Sequence, residues 1–139
     1  MNPEKGLTEN DGNKSMATHF CDIAYGNGTF TAVGNAGTLL TSPDGATWTS
    51  RTLEAAYHLK GITYRNGIFV AVGNAGTLLT SADGIIWTSR NAGTTVTLYG
   101  VTYGSGMFVA VGGCGTVITS CDGEAWSPQK SGTAAYLYG

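Results

Sequence analysis

The 139-residue sequence is poor in charge: Asp, Glu, Lys and Arg together make up 12% of it, and the formal net charge is −2. The seven Lys and Arg are spread along the chain instead of forming a basic stripe, which argues against a nucleic-acid partner. Apolar runs are no longer than a strand, so we predict no membrane-spanning segment. Residues 1–15 are polar and show no secretory signal, which leaves the compartment open.

Cysteine is also scarce, with three residues at positions that do not follow a regular spacing: Cys21, Cys114 and Cys121. Cys114 and Cys121 are expected at the two ends of one strand, more than about 20 Å apart, which is too far for a disulfide. The chain has no Cys-x-x-Cys pair, so we predict no disulfide framework, no zinc or other metal site, and no cofactor. The odd number of cysteines mildly favours a reducing compartment.

Glycine, in contrast, occupies 22 positions, which is typical of an all-β chain with many tight turns. The sequence repeats every 39 residues, and residues 20–51 match residues 59–90 at 22 of 32 positions. The repeat predicts three units at 20–58, 59–97 and 98–136, and the start of a fourth at 137–139. Residues 1–19 are interpreted as an N-terminal arm or a degenerate closing strand.

Each unit contains four short β-like runs separated by Gly-rich turns. In the second unit these runs are 59–64, 68–72, 76–81 and 85–90. The run Ile68–Val72 is apolar on both faces, as expected for a strand packed between two neighbouring sheets. Four antiparallel strands in about 40 residues match a β-propeller blade. We therefore predict an all-β fold of three four-stranded antiparallel propeller blades.

The third turn of each unit carries the pattern Ser-x-Asp-Gly-x-x-Trp. Its residues are Ser42, Asp44, Gly45 and Trp48, then Ser81, Asp83, Gly84 and Trp87, then Ser120, Asp122, Gly123 and Trp126. This pattern resembles the Asp-box, or bacterial neuraminidase repeat, of sialidase-like β-propellers, although the usual pattern has one more residue between Asp and Gly. The resemblance covers residues 20–136 and implies a turn at the blade periphery, in a bacterial and often extracytoplasmic protein.

The chemistry of these residues predicts a folding role for the turn. The Asp carboxylate can accept N–H bonds within its own turn, Gly supplies a positive φ, and Trp covers the turn with a large apolar ring. A sialidase would in addition need an arginine cluster, a Tyr–Glu pair and an acid/base. The chain has three arginines, at 51, 65 and 90, and a repeat this regular leaves little room for a unique catalytic group. We predict no catalytic residue and a non-enzymatic protein, with a fragment of a sialidase-like glycoside hydrolase as an alternative.

The loops between units, at 51–58, 90–97 and 129–136, contain most of the differences between repeats. Loops carry binding function more often than the scaffold does, so any ligand site is expected there. The candidate ligand-binding residues are Arg51, Tyr57, His58, Arg90 and Tyr99. A protein or a glycan is the expected ligand, and a lectin-like propeller with repeated glycan sites is a second alternative function.

Three blades would leave two apolar blade faces uncovered, and propellers typically have four or more blades. We expect oligomerisation to complete the ring, with a six-bladed dimer as the first hypothesis and a longer array as the alternative. The predicted function is therefore a binding or scaffold propeller assembled from several chains.

Overall fold

The computed structural model describes residues 19–53 and 55–139, and in this part the chain forms three four-stranded antiparallel sheets. The strands of the first sheet are β1 (Phe20–Gly26), β2 (Thr29–Gly34), β3 (Leu39–Ser42) and β4 (Thr49–Ser50). Those of the middle sheet are β5 (Leu59–Arg65), β6 (Ile68–Gly73), β7 (Leu78–Ser81) and β8 (Thr88–Ser89). Those of the third sheet are β9 (Leu98–Gly104), β10 (Met107–Gly112), β11 (Val117–Ser120) and β12 (Ser127–Gln129).

Within each sheet the strands pair in the order in which they follow one another in the sequence. The prediction of an all-β chain with three four-stranded antiparallel sheets is confirmed. Each sheet draws its strands from one of the three predicted units, whose boundaries stay a prediction. The predicted arm at 1–19 lies, apart from His19, outside the described residues. In the described ranges no helix is long and apolar enough to cross a membrane.

A two-residue turn joins the first and second strands of each sheet. In the middle sheet Asn66 and Gly67 have φ values of 54° and 78°, the left-handed conformation that a tight hairpin turn requires. The turn sets the register in which Tyr64 pairs with Phe69, and their ring centroids lie 4.6 Å apart. The Asn-Gly dipeptide therefore aligns the inner pair of strands.

Two strands of the middle sheet are shorter than the sequence predicts. The third begins at Leu78 instead of residue 76, because Asn74–Gly76 form a short 3-10 turn. The fourth comprises Thr88–Ser89 instead of 85–90. Ile85 and Ile86 direct their backbone N–H groups to the carboxylate of Asp83, so they belong to the turn and not to the sheet.

The core lies between the sheets. One cluster joins the first and middle sheets around Leu59, Ile62 and Phe69, and a second joins the middle and third sheets around Val70 and Phe108. Along β6, Phe69 to Val72 are all 0% exposed, with Phe69 and Ala71 in the first cluster and Val70 and Val72 in the second. The apolar run predicted to be buried on both faces is buried in this way.

Candidate functional site

One face of the molecule brings together the loops that join the sheets and the turns that join the second and third strands. We call it the loop face, and it comprises the turns 34–38, 73–77 and 112–116 with the inter-sheet loops 51–58, 90–97 and 129–136. The same backbone bond recurs in each unit. The N–H groups of Asn35, Asn74 and Gly113 donate to the carbonyls of His19, His58 and Thr97 at 3.1, 3.0 and 3.0 Å.

His58 links two sheets on the loop face. Its Nδ1 accepts a hydrogen bond of 3.1 Å from the N–H of Ala36, in the turn of the first sheet. Thr97 takes the equivalent position, and its hydroxyl accepts a bond of 3.3 Å from the N–H of Ala75. The residue that precedes the first strand of one sheet therefore caps a turn of the preceding sheet, which gives His58 a structural contact.

The inner strands approach one another closely where glycine recurs at the 39-residue spacing. A Cβ added at Gly61 would lie 3.2 Å from Cα of Gly100, and one added at Gly100 would lie 2.8 Å from Cα of Gly139. Asp22 has the equivalent position in β1, where its Oδ2 accepts a 3.0 Å bond from the N–H of Ile62. Asp22 thus replaces direct backbone packing with a hydrogen bond between sheets.

A cavity of about 500 Å³ opens beside these inner strands. We call it the axial cavity. Its lining includes Cys21, Asp22, Lys60, Tyr99, Val109, Val111 and Tyr138. Residues of β1, β5 and β9 all contribute to this lining, so the cavity depends on the packing of the three sheets.

Three tyrosines cluster at the axial cavity and the neighbouring loop. The Tyr99 ring centroid lies 4.8 Å from that of Tyr138 and 6.4 Å from that of Tyr136. Tyr136 and Tyr138 are 54% and 68% exposed. Such rings offer apolar faces and hydroxyl groups to a ligand, while Lys60 and Asp22 bring one charge of each sign to the cavity wall.

The structure separates the other predicted ligand residues. Tyr57 lines a different cavity, of about 220 Å³, together with Leu53 and Trp87. Arg51 and Arg90 lie in the outer part of their sheets, where each Nε donates to the hydroxyl of a third-strand threonine, at 2.8 Å to Thr41 and 3.0 Å to Thr80. The predicted residues are therefore distributed over the axial cavity, a side cavity, a capped turn and the outer part of two sheets.

Gln129 supports a structural reading of the two arginine positions. It is their counterpart in the third sheet, and its Nε2 donates a 3.0 Å bond to the hydroxyl of Thr119. Arg90 also forms an ion pair of 3.5 Å with Glu124, which connects the middle and third sheets. The position is thus used in all three sheets to tie the fourth strand to the third.

Sequence reasoning missed Lys60 and Asp22 as residues of the axial cavity. Asp22 could be recognised from the sequence, because the equivalent positions of the other repeats, 61, 100 and 139, are all glycine. Lys60 is harder to recognise from the sequence, because the residues at the equivalent repeat positions, Cys21, Tyr99 and Tyr138, differ from it in chemistry. What these positions share is their place on the innermost strand, which only the assembled fold reveals.

The Asp-Gly turns lie between the third and fourth strands, and the same bonds recur in all three. In the middle sheet the Asp83 Oδ1 accepts from Ile85 at 2.8 Å and from Ile86 at 3.1 Å. The Ser81 hydroxyl accepts from the N–H of Gly84 at 2.8 Å, and the Trp87 indole donates to the Gly84 carbonyl at 2.9 Å.

These bonds favour the ionised form of each carboxyl. The N–H groups of Ile85 and Ile86 lower the pKa of Asp83 below its ordinary value, as those of Thr47 and Ala46 do for Asp44 and those of Glu124 and Ala125 do for Asp122. Each carboxylate is thus satisfied inside its own turn. Among residues 19–53 and 55–139, no three His, Cys, Asp or Glu are grouped so as to hold a metal ion.

Two solved structures of the β-propeller protein YCF48 are similar to this chain. YCF48 bound to a D1 peptide superposes with a TM-score of 0.72 and 18% identity, over 86% of this chain and 42% of that chain. YCF48 from Cyanidioschyzon merolae gives a TM-score of 0.66 and 20% identity, over 84% of this chain and 41% of that chain. The chain thus spans less than half the length of these proteins, and the similarity shows a β-propeller fold. No protein-family model and no curated protein matches the sequence.

Proposed function

We propose that this chain is a non-enzymatic, protein-binding β-propeller domain that takes its ligand at the axial cavity. The observation that carries the proposal is an open, tyrosine-lined cavity in a fold shared with YCF48, a protein whose structure contains a bound D1 peptide. A cavity of this size with a few polar groups among apolar ones suits a peptide side chain or turn.

The wall of the cavity favours a particular class of peptide. Tyr99 offers a ring face on which an apolar or planar side chain can stack, and Lys60 offers a cation to a carboxylate. Asp22 is engaged with the N–H of Ile62, which leaves Lys60 to act on the ligand. We infer that the ligand is an extended peptide that combines an apolar side chain with an acidic group.

The arrangement of the arginines supports a binding role over a hydrolytic one. A sialidase-like enzyme needs arginines that converge on the substrate carboxylate. Here Arg51 and Arg90 belong to different sheets and bond to Thr41 and Thr80 of their own sheets. The bonds inside the three Asp-Gly turns likewise support an Asp-box type of repeat in which Asp44, Asp83 and Asp122 serve folding.

A glycan is the second candidate ligand, favoured by the three clustered tyrosine rings. Sugar rings present apolar faces that stack on aromatic side chains in the same way as a peptide side chain does. A glycan array probed with the labelled protein separates the two candidates, because a lectin would retain sugars whose capture is lost in Tyr99→Ala.

The test of the peptide proposal is a display library of random peptides selected on the wild-type protein, with the D1 peptide as a first defined probe. Selected peptides are expected to lose at least about tenfold in affinity on Tyr99→Ala and on Lys60→Ala, which is about 1.4 kcal/mol for each change. Fluorescence polarisation with labelled peptides measures both.

Ile86→Ala provides the control, because Ile86 is 73% exposed in an Asp-Gly turn and does not line the axial cavity. This variant is expected to bind the selected peptides as the wild type does. Selected peptides that bind wild type, Tyr99→Ala and Lys60→Ala equally well would place the ligand elsewhere and refute the proposal.

A further inference from the structure

We propose that a second copy of this chain docks head to tail on the first and covers both of its open sheet faces. The proposal goes beyond the function proposed above. Docking would cover Val109 and Val111 of the axial cavity and put Cys21 of the second copy in the place of Tyr138. The leading face consists of the outward side chains of the first sheet: Phe20, Ile23, Tyr25, Phe30 and Trp48. The trailing face consists of outward residues of the third sheet: Gly104, Met107, Val109, Val111 and Val117.

The leading face repeats a face that is buried inside the same molecule. Ile62 of the middle sheet is 4% exposed because the first sheet covers it, whereas its counterpart Ile23 is 53% exposed. Leu59 is 0% exposed, whereas its counterpart Phe20 is 53% exposed. Tyr25 is 58% exposed and continues the same surface. The leading face therefore has the chemistry of a surface that packs against a preceding sheet.

The trailing face repeats the surface on which such a sheet rests. Val70, Val72 and Leu78 of the middle sheet are 0% exposed under the third sheet. Their counterparts are three half-buried valines of the third sheet: Val109, Val111 and Val117. The chain already forms this interface twice: once between the first and middle sheets, and once between the middle and third sheets. The two open faces are therefore the two halves of a third such interface.

The glycine at the end of the first strand provides a specific fit. At the first junction the ring of Tyr64 lies over Gly26, and a Cβ added at Gly26 would overlap that ring. Gly104 is the counterpart of Gly26 in the third sheet, and among the described residues no atom lies within 4 Å of a Cβ added there. The exposed Tyr25 of a second copy is the residue that would fill this space.

The Asp-Gly turns show the same relation. Gly84 and Gly123 are buried, and a Cβ added at Gly123 would lie 3.4 Å from Val70 and 3.5 Å from Ile68 of the preceding sheet. Gly45 is exposed, and the nearest atom to a Cβ added there belongs to Phe30 of its own sheet, 3.8 Å away. In a head-to-tail pair, Gly45 of one copy meets Val109 and Met107 of the other.

Residues 137–139 occupy the place that the incoming inner strand needs. Gly139 packs on Gly100 as Gly100 packs on Gly61, and the N–H of Leu137 donates a 3.0 Å bond to the Gly112 carbonyl. In the repeat these residues correspond to 20–22 of a second copy. Residues 137–139 must therefore move away when that copy docks. A variant that lacks 137–139 is expected to associate several-fold more tightly. Unchanged or weaker association would contradict this position for the incoming strand.

Two copies related by a two-fold axis form two such interfaces and leave neither face open. The test measures the solution mass by light scattering over a wide range of concentration. The wild type is expected at twice the 14.3 kDa of one chain. Ile23→Asp on the leading face and Val109→Asp on the trailing face each place a carboxylate in both interfaces, and each is expected to raise the dissociation constant at least about a hundredfold.

Mixing the two variants tests the head-to-tail arrangement. An equimolar mixture contains one interface with both native residues, so labelled Ile23→Asp and Val109→Asp chains are expected to associate with each other although neither associates with itself. A symmetric face-to-face dimer would be broken by only one of the two variants, and their mixture would show no such rescue. Ile86→Asp is the matched control, because it puts the same group on an exposed apolar residue outside both faces.

Circular dichroism and thermal unfolding establish that the variants are folded. If Val109→Asp fails to fold, Gly104→Trp replaces it, because this change fills the space for Tyr25 without adding a charge. A wild type that stays at 14.3 kDa, or a mixture without rescue, overturns the proposal. Peptide binding that depends on Tyr99 in a monomeric chain would support the proposed function and contradict the dimer. A dimer that binds no such peptide would support the assembly and contradict the proposed function.

Discussion

The first and middle sheets have almost the same sequence but different surroundings. Residues 20–51 and 59–90 are identical at 22 of 32 positions, and both stretches form four strands in the same order. Phe69 is 0% exposed, while its counterpart Phe30 is half-buried; Ile62 is 4% exposed, while Ile23 is 53% exposed. The strand pattern is thus a local property of the repeat, whereas burial is supplied by the neighbouring sheets.

The difference has an energetic consequence. Apolar side chains contribute to stability in proportion to the area removed from water, about 25 cal/mol per Å². The same residue in two repeats therefore contributes unequally when one copy has a sheet against it and the other does not. The repeat offers matched pairs of positions at which this inequality can be measured, and they differ most at the two ends of the chain.

Phe69→Ala against Phe30→Ala is expected to show the largest inequality. Phe69 is fully enclosed between two sheets, so its truncation is expected to cost about 3–5 kcal/mol of unfolding free energy. Phe30 is half-buried and packs on Tyr25 at 4.6 Å, so its truncation is expected to cost about half as much. Urea unfolding monitored by tryptophan fluorescence measures both.

Measuring both unfolding free energies at several protein concentrations shows whether association changes the difference between Phe69→Ala and Phe30→Ala. If a second copy covers the leading face, the cost of Phe30→Ala rises as the chain associates, whereas the cost of Phe69→Ala does not. Measurements at low concentration isolate the single chain. Equal costs at low concentration would show that Phe30 is covered without a second copy, and would contradict the difference in burial between the first and middle sheets.

Gly84→Ala against Gly45→Ala is expected to show a smaller inequality. Both glycines have a positive φ, 80° and 79°, so each substitution carries a strain of about 1–2 kcal/mol. A Cβ at Gly84 would in addition lie 3.0 Å from the Thr31 hydroxyl of the first sheet. We expect Gly84→Ala to cost about 1 kcal/mol more than Gly45→Ala, as measured by urea unfolding. Equal costs for the two substitutions would show that the backbone strain alone decides.

The sequence is sufficient to predict the repeat, the number of strands and their antiparallel order. Asn66-Gly67 marks the inner hairpin, and the uninterrupted apolar run Ile68–Val72 indicates a strand buried on both sides. The length of the fourth strand was mispredicted, because Ile85 and Ile86 look like strand residues by composition. The bonds from their N–H groups to Asp83 show that they belong to the turn.

The candidate site was harder to predict than the fold. Tyr99 reaches the axial cavity, but Arg51 and Arg90 directly follow the outer strands and Tyr57 lines a side cavity. Proximity in sequence to the inter-sheet loops did not predict proximity to the axis. Lys60 and Asp22 come together there because inner strands from separate units meet, and that meeting depends on the angle between sheets, which no local pattern specifies.

The Asp-Gly turns are expected to show the smallest difference between the two sheets, because their bonds are local. The Asp44 Oδ1 accepts from Ala46 and Thr47, both at 2.9 Å, although Asp44 lies at the open face. The corresponding bonds of Asp83 are 2.8 and 3.1 Å. Backbone N–H groups lower the pKa of both carboxyls below 3.8 in the folded chain.

Since the folded pKa is depressed, each carboxylate adds stability that is fully present above the unfolded pKa of 3.8 and is lost as the pH falls through the folded value. Asp44→Asn and Asp83→Asn retain an oxygen acceptor without the titrating proton. Each is therefore expected to reduce the loss of stability as the pH falls below about 4, and by a similar amount. Urea unfolding across this range measures the slopes. Unequal slopes would show that the neighbouring sheet also acts on the turn, and would extend the contrast between the two sheets from burial to local hydrogen bonding.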